Sequence, residues 1–310
     1  MKTTIESSEL DGVSSKANYR VKLLVLISTF LLSPFVGRTE APPEVWIGKT
    51  LAAGPVNRYS TSGISLGSFN SGSPVGAIEV VGSEVWIGKT LAAGPISRYS
   101  TSGISLGSFN SGSPVGGISL VGSEVWIGST LAAGPINRYS TSGISLGSFN
   151  SGSPVGAIEV VGSEVWIGKT LAAGPISRYS TSGMSLGSFN SGSPVGGISL
   201  VGSEVWIGST LAAGPINRYS TSGLPLGSFN SGSPVGGISL VGSEVWVGST
   251  LAAGPISRYS TSGISLGSFN SGSPVGAITV VPEPSVTMCI SIAFSCLGFG
   301  RLTTKRKRQN

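Results

Sequence analysis

The stretch EVWIGKTLAAGPVNRYSTSGISLGSFNSGSPVGAIEVVGS, residues 44–83, decides the fold, because it recurs five more times with few substitutions. The period is 40 residues, and six units fill residues 44–283 without an insertion. One tryptophan marks each unit: Trp46, Trp86, Trp126, Trp166, Trp206 and Trp246. A fixed period of this length predicts a repeat architecture in which each unit packs on its neighbours.

Each unit is interpreted as four short strands separated by turns. VWIG at 45–48 is β-branched and aromatic, and ISLGSF at 64–69 alternates apolar with small residues as a half-buried strand does. VNRYS at 56–60 and AIEVV at 77–81 complete the set, and Gly-Pro and Gly-Ser pairs lie at the breaks. We therefore predict an all-β chain, since no window has the apolar period of a helix.

Four strands in about 40 residues are typical of one blade of a β-propeller. The predicted fold is a six-bladed β-propeller over residues 44–281, with AIEVV innermost and its last copy, at 277–281, completing the first blade. Pro225 replaces a serine in the fourth strand and removes a ladder donor, which places that strand at the outer edge. A β-solenoid is the alternative, although its coils are usually nearer roughly 20 residues.

The stretch VNRYSTSGISLGSF, residues 56–69, is similar to the repeat of NHL-type propellers. The matching positions are Tyr59, Gly63, Leu66 and Phe69. Thr61 and Ser62 stand where that family commonly has an Asp-rich turn. The resemblance implies a propeller fold and a binding role, not a catalytic one.

The charge of the chain is unevenly distributed. There are 19 Lys+Arg and 13 Asp+Glu, a net charge of +6, and no histidine. Nine bases balance nine acids in residues 44–283, whereas residues 284–310 carry +5, so the repeats do not favour nucleic-acid binding. Without histidine there is no imidazole base, no Ser-His-Asp or Cys-His pair and no His-ligated metal. We therefore predict no enzymatic activity and no cofactor.

The N-terminus contains a 13-residue apolar run, residues 23–35, which follows Arg20 and Lys22. This pattern is typical of a secretory signal peptide and is short for a membrane span. We interpret residues 1–41 as the signal peptide, with Val21 as the hypothesised true start.

The C-terminus, residues 282–310, has three parts in order. Pro282, Glu283 and Pro284 precede an apolar, uncharged stretch at 285–300, which is long enough to just cross a bilayer as a transmembrane helix. A basic tail follows and should stay cytoplasmic by the positive-inside rule: Arg301, Lys305, Arg306, Lys307 and Arg308.

This tripartite tail resembles the PEP-CTERM sorting signal of Gram-negative bacteria that make exopolysaccharide. The resemblance implies that an exosortase recognises Pro282, Glu283 and Pro284 and cuts nearby. The alternative is a plain C-terminal anchor that is not processed.

The repeats offer few candidate functional residues. The six tryptophans and their companion tyrosines are interpreted as packing between blades, and Arg58 and its equivalents are expected to pair with a repeat glutamate such as Glu84. Loops on a rigid ring are the usual place for recognition. The predicted partner face combines the LAAGP and NSGSPVG loops and presents Asn70, Ser71 and Ser73, with nearby lysines at Lys49, Lys89 and Lys169.

The predicted function is that of an exported, non-enzymatic structural or binding protein of the cell envelope or extracellular matrix. It would be held in the inner membrane through its C-terminus until an exosortase processes it. Expected partners are the Sec export machinery, the exosortase, the inner membrane, and an extracellular polysaccharide or another envelope protein. Two alternatives are an ice-binding or surface adhesin, and a glycan-acting enzyme or cation site in which Glu79 and Glu159 meet across the channel.

Overall fold

The structure is a computed structural model that describes residues 42–283. The predictions for the signal peptide at 1–41, for the membrane helix at 285–300 and for the basic tail lie outside the described residues. Within residues 42–283, no helix is long and apolar enough to cross a membrane.

The described chain consists of 24 strands separated by turns. In chain order they are β1 (Glu44–Lys49), β2 (Pro55–Ser60), β3 (Ser65–Asn70), β4 (Val75–Val81), β5 (Glu84–Lys89), β6 (Pro95–Ser100), β7 (Ser105–Asn110), β8 (Val115–Val121), β9 (Glu124–Ser129), β10 (Pro135–Ser140), β11 (Ser145–Asn150), β12 (Val155–Val161), β13 (Glu164–Lys169), β14 (Pro175–Ser180), β15 (Ser185–Asn190), β16 (Val195–Val201), β17 (Glu204–Ser209), β18 (Pro215–Ser220), β19 (Pro225–Asn230), β20 (Val235–Val241), β21 (Glu244–Ser249), β22 (Pro255–Ser260), β23 (Ser265–Asn270) and β24 (Val275–Val281).

The strands form six antiparallel sheets of four strands, arranged as a closed six-bladed β-propeller. Five blades are consecutive in the chain, for example β4-β5-β6-β7, and the sixth has the order β24-β1-β2-β3. The two ends of the repeat region therefore share one sheet, in which Val45 pairs with Val280 and Ile47 with Ile278. The predicted propeller and its closure by the last strand are confirmed, and the solenoid alternative is wrong.

The core lies between neighbouring blades. Trp46 is fully buried and packs with Val75, Ile78 and Val85 of the next blade. Gly48 makes this approach possible, because a Cβ there would lie 2.4 Å from Cγ1 of Val75. The same packing recurs at each interface, so the apolar cores follow the blade boundaries around the ring.

An aromatic chain joins each blade to the next. Trp46 and Phe69 of one blade meet edge to face with ring centroids 5.2 Å apart, and Phe69 lies 4.9 Å from the ring of Tyr99 in the following blade. Offset and edge-to-face aromatic pairs add about 0.5–1.5 kcal/mol each beyond the burial of their area. The repeated aromatic residues thus stabilise the contact between blades.

The fourth strand of each blade forms the outer rim. Pro225 begins β19, which lies at the outer edge of its sheet as the proline predicted. A β-bulge at Leu66 interrupts the pairing of β3 with β2. The next residue of β3, Gly67, has a φ of 118°. Bulges and prolines are devices that protect sheet edges from pairing with another chain. Ile64 and Leu66 remain exposed on this rim.

Candidate functional site

Six arginine–glutamate pairs neutralise most of the charge of the ring. Nε and Nη2 of Arg58 donate to the two carboxylate oxygens of Glu44 at 2.6 Å each, and Trp46 Nε1 donates to the same carboxylate at 3.1 Å. Burial alone would raise the pKa of Glu44, but these hydrogen bonds hold it below its ordinary value. Partly exposed ion pairs of this kind contribute only about 0–1 kcal/mol each to the stability of the fold. Their main role is to hold the arginine side chain beside the tryptophan of the same blade. Glu84, singled out from the sequence, pairs with Arg98.

The predicted partner face is formed by two loops that bind each other through their backbones. Ser71 N–H donates to the Gly54 carbonyl at 3.0 Å, and Gly72 N–H to the Ala53 carbonyl at 3.0 Å. This confirms that the LAAGP and NSGSPVG loops share one end of the ring. Asn70 is exposed there.

The side chains of Ser71 and Ser73 do not belong to an exposed surface. They are only 8% and 9% exposed, and Ser71 Oγ donates to the Gly54 carbonyl at 2.6 Å. The expectation that they are presented to a partner is therefore wrong. The two loops satisfy each other's polar groups, which turns these serines inward.

Three lysines on this side of the ring are fully buried. The Nζ atom of each contacts a serine Oγ in the loop that crosses from the preceding blade: Lys49 with Ser271, Lys89 with Ser71, and Lys169 with Ser151. Burial lowers the pKa of Lys49 and Lys89 to about 7 and that of Lys169 to about 8. No carboxylate among residues 42–283 pairs with them, so they tie a loop to a blade and are not presented to a partner.

The inner strands surround a polar cavity of about 320 Å³. Two carboxylates, Glu79 of β4 and Glu159 of β12, line it with hydroxyl groups from other blades: Ser199, Ser239 and Thr279. The isoleucines that precede these positions line the same cavity and a smaller space of about 70 Å³ beside Gly76 and its equivalents. The two glutamates named from the sequence are thus brought to one cavity, although one blade separates their strands.

Each carboxylate is held by the next inner strand. Leu120 N–H donates to Glu79 Oε1 at 3.0 Å, and Leu200 N–H donates to Glu159 Oε1 at 3.0 Å. Burial raises the pKa of Glu79 to about 8; the hydrogen bond from Leu120 opposes this shift, and the charge of Glu159 adds to it. Burial likewise raises the pKa of Glu159 to about 7. Both side chains keep some exposed surface, yet they sit deep within the ring.

Sequence reasoning missed the buried lysines, although the chain carried a signal for them. Position 49 of the first unit is lysine in three units and serine in the other three: Ser129, Ser209 and Ser249. When otherwise near-identical units have either a lysine or a serine at the same position, that position is indicated to be a polar site inside the fold. Within residues 42–283, no three His, Cys, Asp or Glu side chains group together as metal ligands.

Comparison with known proteins agrees on the fold. No protein-family model matches the sequence, and no curated protein matches it significantly. A chain of the nidogen/laminin complex is 12% identical with a TM-score of 0.62, covering 77% of this chain and 98% of its own. A protein of unknown function from Bacteroides caccae is 11% identical with a TM-score of 0.63, covering 78% and 100%. Identities this low show a shared propeller fold and nothing finer.

Proposed function

We propose that this chain is an exported, non-enzymatic structural or binding protein of the cell envelope or extracellular matrix, sorted through its C-terminal signal. The propeller fits a binding or structural role. The observation that carries the proposal is the position of the sorting motif relative to the ring. The last strand ends at Val281, and Pro282 follows at once.

This junction suits removal of the tail. All 24 strands precede Pro282, which is exposed, while Glu283 is half-buried. A cut in or after the Pro-Glu-Pro motif would take no strand from the ring, since proline cannot extend the ladder. An exosortase of the inner membrane, reached after Sec export, would therefore release or transfer an intact propeller. Pro284 and the basic tail lie outside the described residues.

The surface of the ring supports a role outside the cell without nucleic acid. Its arginines are paired with glutamates and its lysines are buried, which leaves little basic surface for phosphate contacts. The exposed surface is uncharged and combines small hydroxyl and amide side chains, such as Asn70 on the loop end, with apolar ones: Leu51 on the loop end, and Ile64 and Leu66 on the rim. We propose an extracellular polysaccharide or another envelope protein as the partner of these surfaces.

The likeness to a chain of the nidogen/laminin complex supports binding more than catalysis, because that structure is a complex of two partners. The fold similarity supports this only as an analogy, since one fold hosts many functions.

Cell fractionation tests the proposal. The full chain and a variant lacking residues 282–310 are expressed in a bacterium that has an exosortase, and the propeller is followed by immunoblot. We expect the full chain in the envelope fraction with a shorter processed form, and the deletion variant in the soluble exported fraction. A full chain with Pro282→Ala and Glu283→Ala is the matched control, which should reach the membrane but remain unprocessed. An unchanged distribution after the deletion would contradict sorting by this tail.

A further inference from the structure

We propose that the central cavity binds a small organic cation carrying two protonated amino groups, held between Glu79 and Glu159. This proposal rests on the ring alone and does not depend on how the chain is sorted.

The cavity offers oxygen atoms that the fold leaves without a partner. Leu120 and Leu200 each use Oε1 of one glutamate, and Oε2 of Glu79 and of Glu159 makes no hydrogen bond to any of residues 42–283. Ser199 lines the same cavity, is only 7% exposed, and its Oγ has no hydrogen-bond partner within the described ring. These three oxygens line one cavity and are free to accept hydrogen bonds, so the group points to a ligand that donates them.

The fold does not require carboxylates at these two positions. The other four inner strands have a hydroxyl residue at the equivalent place and adopt the same register: Ser119, Ser199, Ser239 and Thr279. Enclosing a carboxylate costs several kcal/mol unless it is paired. Because the same strand register forms with a hydroxyl residue at this position, the fold does not account for the two glutamates, and a bound cation does.

The size and walls of the cavity indicate the class of ligand. At about 320 Å³ it has room for roughly ten water molecules at about 30 Å³ each, far more than one bare ion needs. Two carboxylates are also few for a calcium site, which takes about 6–8 oxygen ligands. The isoleucines Ile78, Ile118 and Ile158 add apolar wall that can contact methylene groups. An ammonium group donates three hydrogen bonds, so one at each end of a short aliphatic chain matches the two carboxylates and the Ser199 hydroxyl.

Isothermal titration of the full chain in detergent tests the proposal with putrescine (1,4-diaminobutane) as the probe and with glucosamine and CaCl2 in parallel. We expect putrescine to bind most tightly and glucosamine, with one amine, at least 5-fold more weakly. The double variant Glu79→Ser, Glu159→Ser should bind putrescine at least 10-fold more weakly. It should still fold, because serine stands at three equivalent positions, and circular dichroism checks this.

Two further variants keep the test decisive. Lys89→Ser changes a buried charge that does not line the cavity, so putrescine binding should be unchanged. Ser199→Glu adds a third carboxylate and should tighten putrescine binding several-fold. The absence of any putrescine binding, equal binding by the double variant, or tighter binding of CaCl2 than of putrescine would each overturn the proposal.

Discussion

The stability of the ring should pass through a minimum near pH 7. The titratable groups that produce this minimum are the two glutamates that line the central cavity and the three buried lysines, since the chain has no histidine. The pKa of Glu79 is about 8 and that of Glu159 about 7 in the folded ring, against an ordinary value of 4.5. Between pH 5 and 7 the folded state therefore holds about two more protons than the unfolded chain. Stability falls as the pH rises through this window, by up to about 2.7 kcal/mol per pH unit for two protons.

The lysines have the opposite effect at higher pH. Their folded pKa values, about 7 for Lys49 and Lys89 and about 8 for Lys169, lie below the ordinary value of 10.5. Above pH 7 the unfolded chain thus holds more protons than the folded one, and stability rises as the pH increases. The six Glu–Arg pairs do not contribute here, because the pKa values of those glutamates are lowered from 4.5.

The assay is urea unfolding of a fragment, residues 42–283, that contains all 24 strands and the cores between the blades. Unfolding is monitored by the fluorescence of the buried tryptophans, and the titration is repeated every half pH unit from pH 5 to 9. Two serine variants separate the effects and copy residues of the other units. Glu79→Ser with Glu159→Ser should flatten the fall between pH 5 and 7. Lys49→Ser, Lys89→Ser and Lys169→Ser together should remove the rise above pH 7. A stability maximum near pH 7 in the unmodified ring would refute the reasoning.

Three further predictions concern the packing of the blades. Trp126→Ala should lower the free energy of unfolding by about 3–5 kcal/mol, measured by urea titration, because the side chain is fully buried between two blades. Gly128→Ala places a Cβ within 2.5 Å of Val155 Cγ1, so we expect a loss of about 1–3 kcal/mol in the same assay, and no loss would contradict the close approach. Ser145→Pro in the outer strand should change the melting temperature by less than about 3 °C, because Pro225 occupies the equivalent position naturally; a large drop would mean that the edge strand needs this N–H.

The sequence was sufficient to predict the architecture because the repeat constrains it so strongly. The alternation of apolar and small or polar residues at 64–69 and 77–81 predicted strands, and four strands per unit predicted a propeller blade. Pro225 predicted which strand lies at the outer edge of the blade. These features depend on local pattern and on counting, which a single sequence records directly. Three of the four predicted strands were one or two residues short, as at Glu44–Lys49, and the fourth, predicted at 64–69, is shifted by one residue to Ser65–Asn70. Backbone pairing sets these ends, and it does not depend on the apolar pattern.

The candidate site was harder to predict because it depends on distances between units. Ser71 and Ser73 resemble surface loop residues in sequence, yet backbone hydrogen bonds between two loops turn them inward. The burial of Lys89 follows from the approach of the preceding blade, which no local pattern encodes. Glu79 and Glu159 were recognised as a pair, but only the ring geometry places both on one cavity.

The shared blade also determines how the ring responds to force. Glu44, at the start of the ring, pairs directly with Val281, at its end, so the two ends of the repeat region lie side by side at the same end of one sheet. If residues 44 and 281 are pulled apart, the antiparallel β1–β24 ladder is loaded one hydrogen-bonded pair at a time. Such peeling needs less force than shearing all pairs together. The junction that completes the propeller is therefore the place where tension would open it first.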